Sequence, residues 1–359
     1  MVRTSLFFER LRDHSEIKLR ILSKFAVPWA AKLGYKAGLR GGRKLWYVDG
    51  FAGPGRYGDG SAGSPIIGAG CALEILGKRR GYVLGCVNVE RNARLFASLE
   101  RETAPHRARG VEIHNLHGDF SARVPDILKI IGRHDPALVF IDPFGIKPLV
   151  YAALRNLIAR PGEVDLMLVF QSRAVSRLVT EHPEYVTGAV GADDWLGQWH
   201  SRGVQAVYDT LKRNLISDGR FRAVERYGVR SEKAAAPRYH MVIGSRSYHA
   251  FELTNDMICQ EERHLDQKTY ARLAQASFLP EVNGLASQQE LVNAILTYGR
   301  THPRTTRRDI LEHIVLTHWA TWHTGDVKRA VSGLIHAGRI TRPGDSKGHI
   351  DSDPLRFEW

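Results

Sequence analysis

The sequence predicts an α/β fold, a parallel β-sheet covered by helices on both faces, followed by a smaller, mostly helical domain. Three observations predict it. Short, nearly continuous apolar runs alternate with helix-like segments between residues 44 and 170, as in parallel sheets whose faces are both buried. Two further β runs near residue 240 indicate an antiparallel hairpin that closes the sheet. Residues 285–359 then change to an order of three helices and a short ribbon.

The composition is that of an ordinary globular protein, with 359 residues of which 43% are hydrophobic and 25% charged. No apolar run is long enough to span a bilayer, so we expect no membrane contact. Cys71, Cys86 and Cys259 lie far apart without CxxC spacing, which favours a reduced, cytoplasmic protein without disulfides or a zinc ribbon. The net charge of +13 favours a polyanionic partner, nucleic acid above all, although a basic balance also serves solubility.

The chain is expected to open with helices and to continue into the sheet domain, which we place at residues 44–284. Residues 1–43 form one or two amphipathic helices in this prediction, because Ile17, Ile21, Phe25 and Trp29 recur at helical spacing. Strands are predicted within residues 45–49, 82–90, 111–120, 137–145 and 164–170, and helices over residues 64–76, 91–104, 124–131 and 149–159. Ser64 is the expected N-cap of the first of these helices.

The end of the sheet domain is predicted to contain an insertion and a hairpin. Residues 172–236 are mostly helical by pattern and rich in arginine and tryptophan, which is too long for a simple crossover. The segment "RYHMVIGSRSYHAFELT", residues 238–254, shows two β runs joined by Gly-Ser-Arg-Ser. Such a pattern is typical of an antiparallel hairpin.

Residues 285–359 are predicted to form a winged-helix-like domain, whose third helix can enter the major groove of a duplex. That helix would present Lys328 and Arg329, and the ribbon after it Arg339 and Arg342. These four residues are the candidate nucleic-acid contacts. A winged helix that docks proteins, or a small helical bundle, is the alternative interpretation.

The candidate site lies after the first strand, in "LWYVDGFAGPGRYGDG". Five of the eleven residues from Gly50 to Gly60 are glycine, more than a plain turn requires. The turn follows Asp49 at the carboxyl edge of the sheet, where ligands of doubly wound folds bind. A cofactor lying on the main chain of Phe51, Ala52, Gly53 and Gly55 would explain the glycines, although such loops are also simply tight turns.

Acidic residues end three later strands: Glu90 in "VNVE", Asp119 in "HGDF" and Asp142 in "IDPFG". Each alone can cap a helix or close a turn. Together with Asp49 they predict an adenosine-bearing cofactor, with Glu90 on the ribose hydroxyls, Asp119 accepting from the adenine amino group and Phe120 packing on its ring. Histidine, cysteine and acidic residues show no metal-ligand spacing, so no metal is expected.

These strand ends resemble the S-adenosylmethionine-dependent methyltransferase fold, which has seven strands with the last one reversed. More narrowly, "VDGFAGPGRYGDGSAGSPIIGA", "IDPFG" and the opening "HSEIKLRILSKFAVPW" resemble the three-Cys-motif partner proteins over residues 10–280. The resemblance implies S-adenosylmethionine as cofactor and a genomic association with a cysteine-motif protein that resembles radical S-adenosylmethionine enzymes. It places Gly53 and Gly55 beside the methionine moiety, Asp49 near its amino group and Asp142 toward the substrate.

The fourth strand end departs from the pattern of enzymes that methylate nucleobase amines. Those enzymes carry Asp/Asn-Pro-Pro-aromatic, in which the carboxylate and a proline carbonyl accept from the amine and the ring stacks on an extruded base. This chain has Asp142, Pro143, Phe144 and Gly145, so Phe144 either stacks or merely packs. We favour a methyltransferase that acts on or binds nucleic acid. The alternatives are a binding or scaffold partner without transfer activity and a methyltransferase on a protein or small molecule. The sequence indicates neither the methyl acceptor nor the oligomeric state.

Overall fold

We describe the protein from a computed structural model of the full chain. The described residues are 13–38, 44–78, 81–231, 234–274, 288–342 and 352–358. Within them the chain divides into two compact units, Met1–Ser247 and Tyr248–Trp359. The sequence places the boundary at residues 284 and 285, and residues 275–287 lie outside the described part.

The first unit is built on a seven-stranded sheet with the order β3-β2-β1-β4-β5-β7-β6. Five strands run parallel, and β7 runs antiparallel to both of its neighbours, β5 and β6. This confirms the predicted fold class, including the reversed last strand. The strands are β1 Lys44–Asp49, β2 Val83–Glu90, β3 Ile113–His117, β4 Ala137–Ile141, β5 Val164–Phe170, β6 Ala223–Ser231 and β7 Ala234–Ser245.

Helices separate the strands as the apolar periodicity predicts. They are α1 Asp13–Gly38, α2 Ser64–Gly77, α3 Ala93–Ala108, α4 Phe120–Ile130, α5 Tyr151–Ile158, α6 Ser172–Leu178, α7 Pro183–Val190, α8 Trp199–Arg202 and α9 Val204–Gly219. Pro65 stands in the first turn of α2, where its missing N–H leaves no hydrogen bond unmade. Asn92 caps α3 by accepting from the N–H groups of Arg94 and Leu95.

Helix α1 is a single described helix that is fixed to the sheet through a buried hydrogen bond. The indole N–H of Trp29 donates to Asp165, the second residue of β5, at 2.5 Å. Lys18 lies eleven residues earlier in α1, which at a rise of about 1.5 Å per residue places it about 16 Å away along the helix axis. The N-terminal half of α1 thereby reaches toward the carboxyl edge of the sheet.

Two sequence predictions near the end of this unit are wrong. The insertion predicted to be helical over residues 172–236 ends at Gly219, and residues 223–231 form strand β6. The hairpin consists of β6 and β7, whereas Gly244 and Ser245 end β7, and Arg246 and Ser247 lead into α10, Tyr248–Ala274. Buried Tyr248, Phe251 and Ile258 recur at helical spacing in α10, so this segment follows a helical period despite its β-prone aromatic residues.

The second unit contains α10 and a small mixed domain. After α10 the described elements are α11 Gln288–Thr301, β8 Arg304–Thr306, α12 Arg307–Thr317, α13 Thr324–His336, β9 Ile340–Thr341 and β10 Pro354–Phe357. The three strands form a sheet with the order β8-β10-β9. The winged-helix assignment stays a prediction. Among the described residues, no helix is both apolar enough and long enough to cross a membrane.

Candidate functional site

The turn that follows β1 is fixed to both neighbouring strands by main-chain hydrogen bonds. The N–H of Gly50 donates to the carbonyl of Phe140 in β4 at 3.0 Å, and the N–H of Ala52 donates to the carbonyl of Val89 in β2 at 2.9 Å. Since β1 lies between β2 and β4, the turn spans the carboxyl ends of all three strands. This edge is where open α/β sheets bind ligands.

Protein packing accounts for part of the glycine content of this turn. A Cβ at Gly50 would lie 2.7 Å from Cδ1 of Ile141, and one at Gly55 would lie 2.9 Å from Cβ of Glu102. Gly55 also has φ of +89°, in the left-handed region that favours glycine. The close approach that the sequence suggested therefore involves neighbouring side chains as well, and the glycines alone do not indicate a ligand.

Glu90 at the end of β2 is oriented by the turn. One carboxylate oxygen accepts from the N–H of Gly53 at 2.9 Å and the other from the N–H of Asn92 at 2.7 Å. The side chain is nearly buried, at 9% exposure, and this burial raises its pKa despite the two hydrogen bonds. Each carboxylate oxygen has a second lone pair, so Glu90 retains the capacity to accept from a pair of hydroxyls.

Asp49 at the end of β1 is completely buried. It accepts from the hydroxyl of Tyr47 and from the N–H of Phe51, both at 3.1 Å, and also from the hydroxyl of Ser64. Burial raises its pKa to about 6, and the nearby carboxylate of Asp142 acts in the same direction. The hydroxyl of Ser64 is therefore used by Asp49. The predicted N-cap at Ser64 is wrong, because Gly63 is the N-cap of α2. A buried carboxyl with a raised pKa beside a second acid is typical of functional sites.

Asp119 and Phe120 follow β3 at the same edge but differ in environment. The side chain of Asp119 is 72% exposed, with the guanidinium of Arg91 at 3.8 Å. Phe120 is 3% exposed, and its ring lies 5.6 Å from the ring of Phe51 between centroids. A Cβ at Gly50 would lie 3.0 Å from the ring of Phe120. Asp119 is thus accessible and Phe120 is a core residue, and their adenine-binding roles stay predictions.

The segment after β4 forms a corner with one exposed ring. Asp142 is partly buried, with a side chain that is 20% exposed, and Pro143 is buried. Phe144 is 62% exposed, and Gly145 turns the chain with φ of +91°. An exposed aromatic ring beside a carboxylate is suited to contact a flat, polar molecule. The structure thus places Asp142 and Phe144 at the edge where the sequence predicts the substrate.

Lys18 of α1 is a site residue that the sequence reasoning missed. Its ammonium group forms an ion pair with Asp142 and lies 5.5 Å from the ring centroid of Tyr239. Lys18 is only 5% exposed, and it shares the buried side of α1 with Ile21 and Phe25. The sequence could have indicated Lys18, because it is a cation on the apolar side of a helix and a buried lysine requires a partner.

A second polar pair lies where β5 ends. Nδ1 of His240 is 3.1 Å from the hydroxyl oxygen of Ser172, and the register pairs His240 with Phe170, the last residue of β5. Burial, with a smaller contribution from the charge of Arg226, lowers the pKa of His240 to about 4. His240 is therefore a neutral hydrogen-bonding group at neutral pH.

The predicted nucleic-acid residues of the third helix have acidic neighbours. Arg329 forms an ion pair with Asp326, one helical turn earlier in α13. Burial alone raises the pKa of Glu252, but a hydrogen bond from His249 and the charge of Lys328 outweigh this effect and lower the pKa. Asp326 also forms an ion pair with Arg263 of α10, so one carboxylate serves two arginines. Both cations of α13 thus have acidic neighbours within their own unit.

The two predicted ribbon residues are placed differently. Arg339 precedes β9 and Arg342 follows it, and both are exposed. Neither forms an ion pair with a described acidic residue. Within the described residues, the four predicted contacts are therefore two cations with acidic neighbours on α13 and two arginines without an ion pair beside β9.

Comparisons with known proteins give only distant structural likenesses. No protein-family model matches the chain, and no curated protein matches it. Among solved structures, the O-methyltransferase TomG from Streptomyces achromogenes, in complex with SAM, is 15% identical, with 68% of this chain and 95% of that chain covered and a TM-score of 0.34. A Legionella pneumophila protein is 12% identical, with coverages of 66% and 85% and a TM-score of 0.38.

A third solved structure, M. jannaschii TYW2 in complex with AdoMet, is 12% identical, with coverages of 60% and 74% and a TM-score of 0.29. Likeness at this level does not bear on chemistry. The fold assignment rests on the strand order and directions of the chain itself.

Proposed function

We propose that this protein is an S-adenosylmethionine-dependent methyltransferase that acts on nucleic acid. The observation that carries the proposal is the cluster of strand-end carboxylates around one fixed turn: Asp49 buried beneath it, Glu90 hydrogen-bonded to it, and Asp142 beside it. A chain with net charge +13 has little need for three acids at one sheet edge unless they bind something.

The residues of this edge fit the proposed cofactor. Asp49 is buried with a raised pKa, so an ammonium group beside it would relieve the unfavourable burial of its charge. Glu90 is held by two N–H groups and retains lone pairs for ribose hydroxyls. S-adenosylmethionine supplies a methyl group on a sulfonium leaving group, so the protein must mainly position the acceptor and exclude water.

The acceptor side of the site would be formed by Asp142 and Phe144. Among the described residues, Lys18 binds Asp142 through Oδ2, and Oδ1 would accept from an amine or hydroxyl of the substrate. The exposed ring of Phe144 offers a surface on which a base can stack. This arrangement supports a nucleobase as acceptor, with Lys18 holding the carboxylate in one orientation.

A second candidate function is a binding partner without transfer activity. It is favoured by the same ion pair, because a carboxylate engaged by a buried lysine is a weaker acceptor for a substrate amine. The altered corner, with Phe144 in place of a second proline, points the same way. The three-Cys-motif protein implied by the family resemblance would then be the partner. Transfer to a protein or small molecule is the remaining alternative.

Calorimetric titration of the full chain with S-adenosylmethionine and S-adenosylhomocysteine tests the cofactor site. Glu90→Gln replaces one acceptor oxygen by a donor, so it should weaken binding at least about 10-fold, since hydrogen bonds to charged groups contribute about 1.5–3 kcal/mol. Glu74→Gln on the exposed face of α2 is the matched control and should bind as the wild type does. Absence of binding to the wild type, or equal binding to Glu90→Gln, would contradict the proposal.

Transfer is then measured with labelled S-adenosylmethionine on separate DNA, RNA and protein pools. Label in a nucleic-acid pool that is lost in Asp142→Asn supports the proposed function. Cofactor binding without label in any pool would support the silent binding partner instead. Label in the protein pool alone would move the assignment to a protein methyltransferase.

A further inference from the structure

The small sheet of the second unit has one buried face and one exposed, basic face. Leu355, Phe357 and Ile340 are buried at 1%, 3% and 1% exposure and point to one side, because side chains alternate along a strand. The register pairs Arg356 of β10 with Arg304 of β8 and with Thr341 of β9. These residues therefore share the opposite, exposed face of the sheet.

Arg339 lies two residues before Thr341 and therefore on the same face of the sheet. The N–H of Glu358 donates to the carbonyl of Arg339 at 2.9 Å, which continues the pairing of β10 with β9. Arg304, Arg339 and Arg356 are all exposed. We call these three residues the arginine face.

Within the described residues, the charge of the arginine face is incompletely balanced. Arg304 and Arg356 lie directly opposite each other, an arrangement of like charges that destabilises a sheet. In the described part of the chain, the acids next to these strands are Glu358, Asp309 and Asp353, of which Asp353 is buried. Glu358 lies 3.7 Å from Arg356 and also accepts from Thr341, whereas Asp309 is engaged in the capping box of α12 with Thr306. Glu358 lies opposite Arg339 in the pairing of β10 with β9, but none of these acids forms an ion pair with Arg304 or Arg339.

Helix α13, where a winged-helix interpretation places the main contacts, contrasts with this face. Arg329 forms an ion pair with Asp326, and Lys328 lies close enough to Glu252 for its charge to lower the pKa of that carboxyl. A polyanion approaching α13 must compete with these carboxylates, whereas one approaching the sheet meets three exposed arginines, of which only Arg356 has an ion pair within the described residues. The sheet is therefore the more favourable surface for an anionic partner.

We propose that the arginine face binds the phosphate backbone of duplex nucleic acid and so holds the substrate of the proposed methyltransferase. The inference deepens the proposed function by naming how the substrate is held. Guanidinium groups bind phosphate through two parallel hydrogen bonds, and all three cations of the face are arginines. Neighbouring strands are about 4.8 Å apart, so the face spans about 10 Å from β8 to β9, comparable to the width of a duplex groove.

A duplex is favoured over a single strand because the face lacks a described aromatic side chain. Single-strand binders combine basic grooves with exposed rings on which bases stack. The aromatic residue of β10, Phe357, points to the buried side. Contacts confined to phosphates position a protein on a duplex without reading its sequence.

Fluorescence anisotropy of the full chain with labelled DNA and RNA duplexes tests the proposal. Binding of duplexes of about 20 base pairs is measured from about 50 to about 200 mM salt. In the double variant Arg304→Gln/Arg356→Gln, two lost phosphate contacts should reduce the slope of log K against log salt by about 1.8. The affinity at low salt should fall at least about 10-fold.

Three comparisons make the result specific. The surface variant Arg101→Gln/Lys129→Gln removes two exposed cations of the first unit and should leave the slope unchanged. Lys328→Gln/Arg329→Gln should change the slope less than the arginine-face variant does. S-adenosylhomocysteine titration of the arginine-face variant should match that of the wild type, which shows that the first unit is intact. This control keeps the duplex test separate from the test of the cofactor site.

Several results would overturn the inference. They are absence of duplex binding by the wild type, an unchanged salt slope in Arg304→Gln/Arg356→Gln, or a larger loss in the α13 variant. Equal competition by a glutamate polymer would assign the face to an acidic protein rather than to nucleic acid. Stronger binding of single strands than of duplexes would contradict the duplex assignment.

Discussion

Replacement of Asp49 by asparagine should stabilise the protein and weaken cofactor binding. In the folded state the pKa of Asp49 is about 6, because the carboxyl is completely buried, whereas its ordinary value is 3.8. The folded state therefore binds the proton more tightly than the unfolded state does. As pH rises from 3.8 through 6, the free energy of unfolding decreases, and the full penalty is present above pH 6.

The magnitude follows from the difference in pKa. About two units at 1.36 kcal/mol each correspond to about 3 kcal/mol of destabilisation at pH 8, of which about half is present at pH 5. Asparagine carries no charge, and its amide can still accept from the N–H of Phe51 and donate to the oxygen of Tyr47. Asp49→Asn should therefore raise the free energy of unfolding by up to about 3 kcal/mol at pH 8 and about half as much at pH 5.

Urea unfolding followed by tryptophan fluorescence, at pH 5 and pH 8, measures this effect. Asp165→Asn is the matched control, because Asp165 is also buried with a pKa raised to about 6 but lies at the start of β5, away from the carboxyl edge. Both variants should show the pH-dependent stabilisation. Only Asp49→Asn should lose at least about 10-fold in affinity for S-adenosylhomocysteine. Destabilisation of Asp49→Asn at pH 8, or unchanged affinity, would refute this reasoning.

Two further predictions concern the turn and the ion pair. Gly55→Ala should lower the free energy of unfolding by about 1–3 kcal/mol more than Gly60→Ala does. Both positions have left-handed φ, but only a Cβ at Gly55 would come close to another side chain, that of Glu102. Equal losses in urea unfolding would show that the contact is absent. Lys18→Met should destabilise by up to about 3 kcal/mol, less than for a fully buried pair because Asp142 keeps some solvent contact. Lys18→Met/Asp142→Asn should recover much of this loss, and strictly additive effects of the two changes would contradict the ion pair.

The sequence predicted the five parallel strands well because each is a buried apolar run between helices. Since the carboxyl ends of parallel strands share one edge, the acids at Asp49, Glu90 and Asp142 could be brought together from their positions alone. Strand β6 was missed for a physical reason. Its buried residues Val224, Tyr227 and Val229 combine spacings of three and two, so the pattern does not distinguish a strand from a helix.

The contact between Lys18 and Asp142 could not be derived from local pattern. The two residues are 124 positions apart, and their pairing depends on how α1 crosses the sheet after Trp29 is fixed to Asp165. The sequence marks Lys18 only as a cation on an apolar side, which indicates that a partner exists but not which one. Likewise, Arg304 and Arg356 become neighbours only through the register of β8 and β10.

Hydrogen exchange of the full chain with and without S-adenosylhomocysteine tests the central claim most directly. A ligand that binds the folded state slows the local opening of the segments it contacts. We expect slower exchange in peptides that cover residues 49–57, 90–95 and 118–121, the turn and strand ends around Asp49, Glu90 and Asp119, and no change over residues 288–342. Unchanged exchange at these strand ends, or slowing confined to the second unit, would contradict the account.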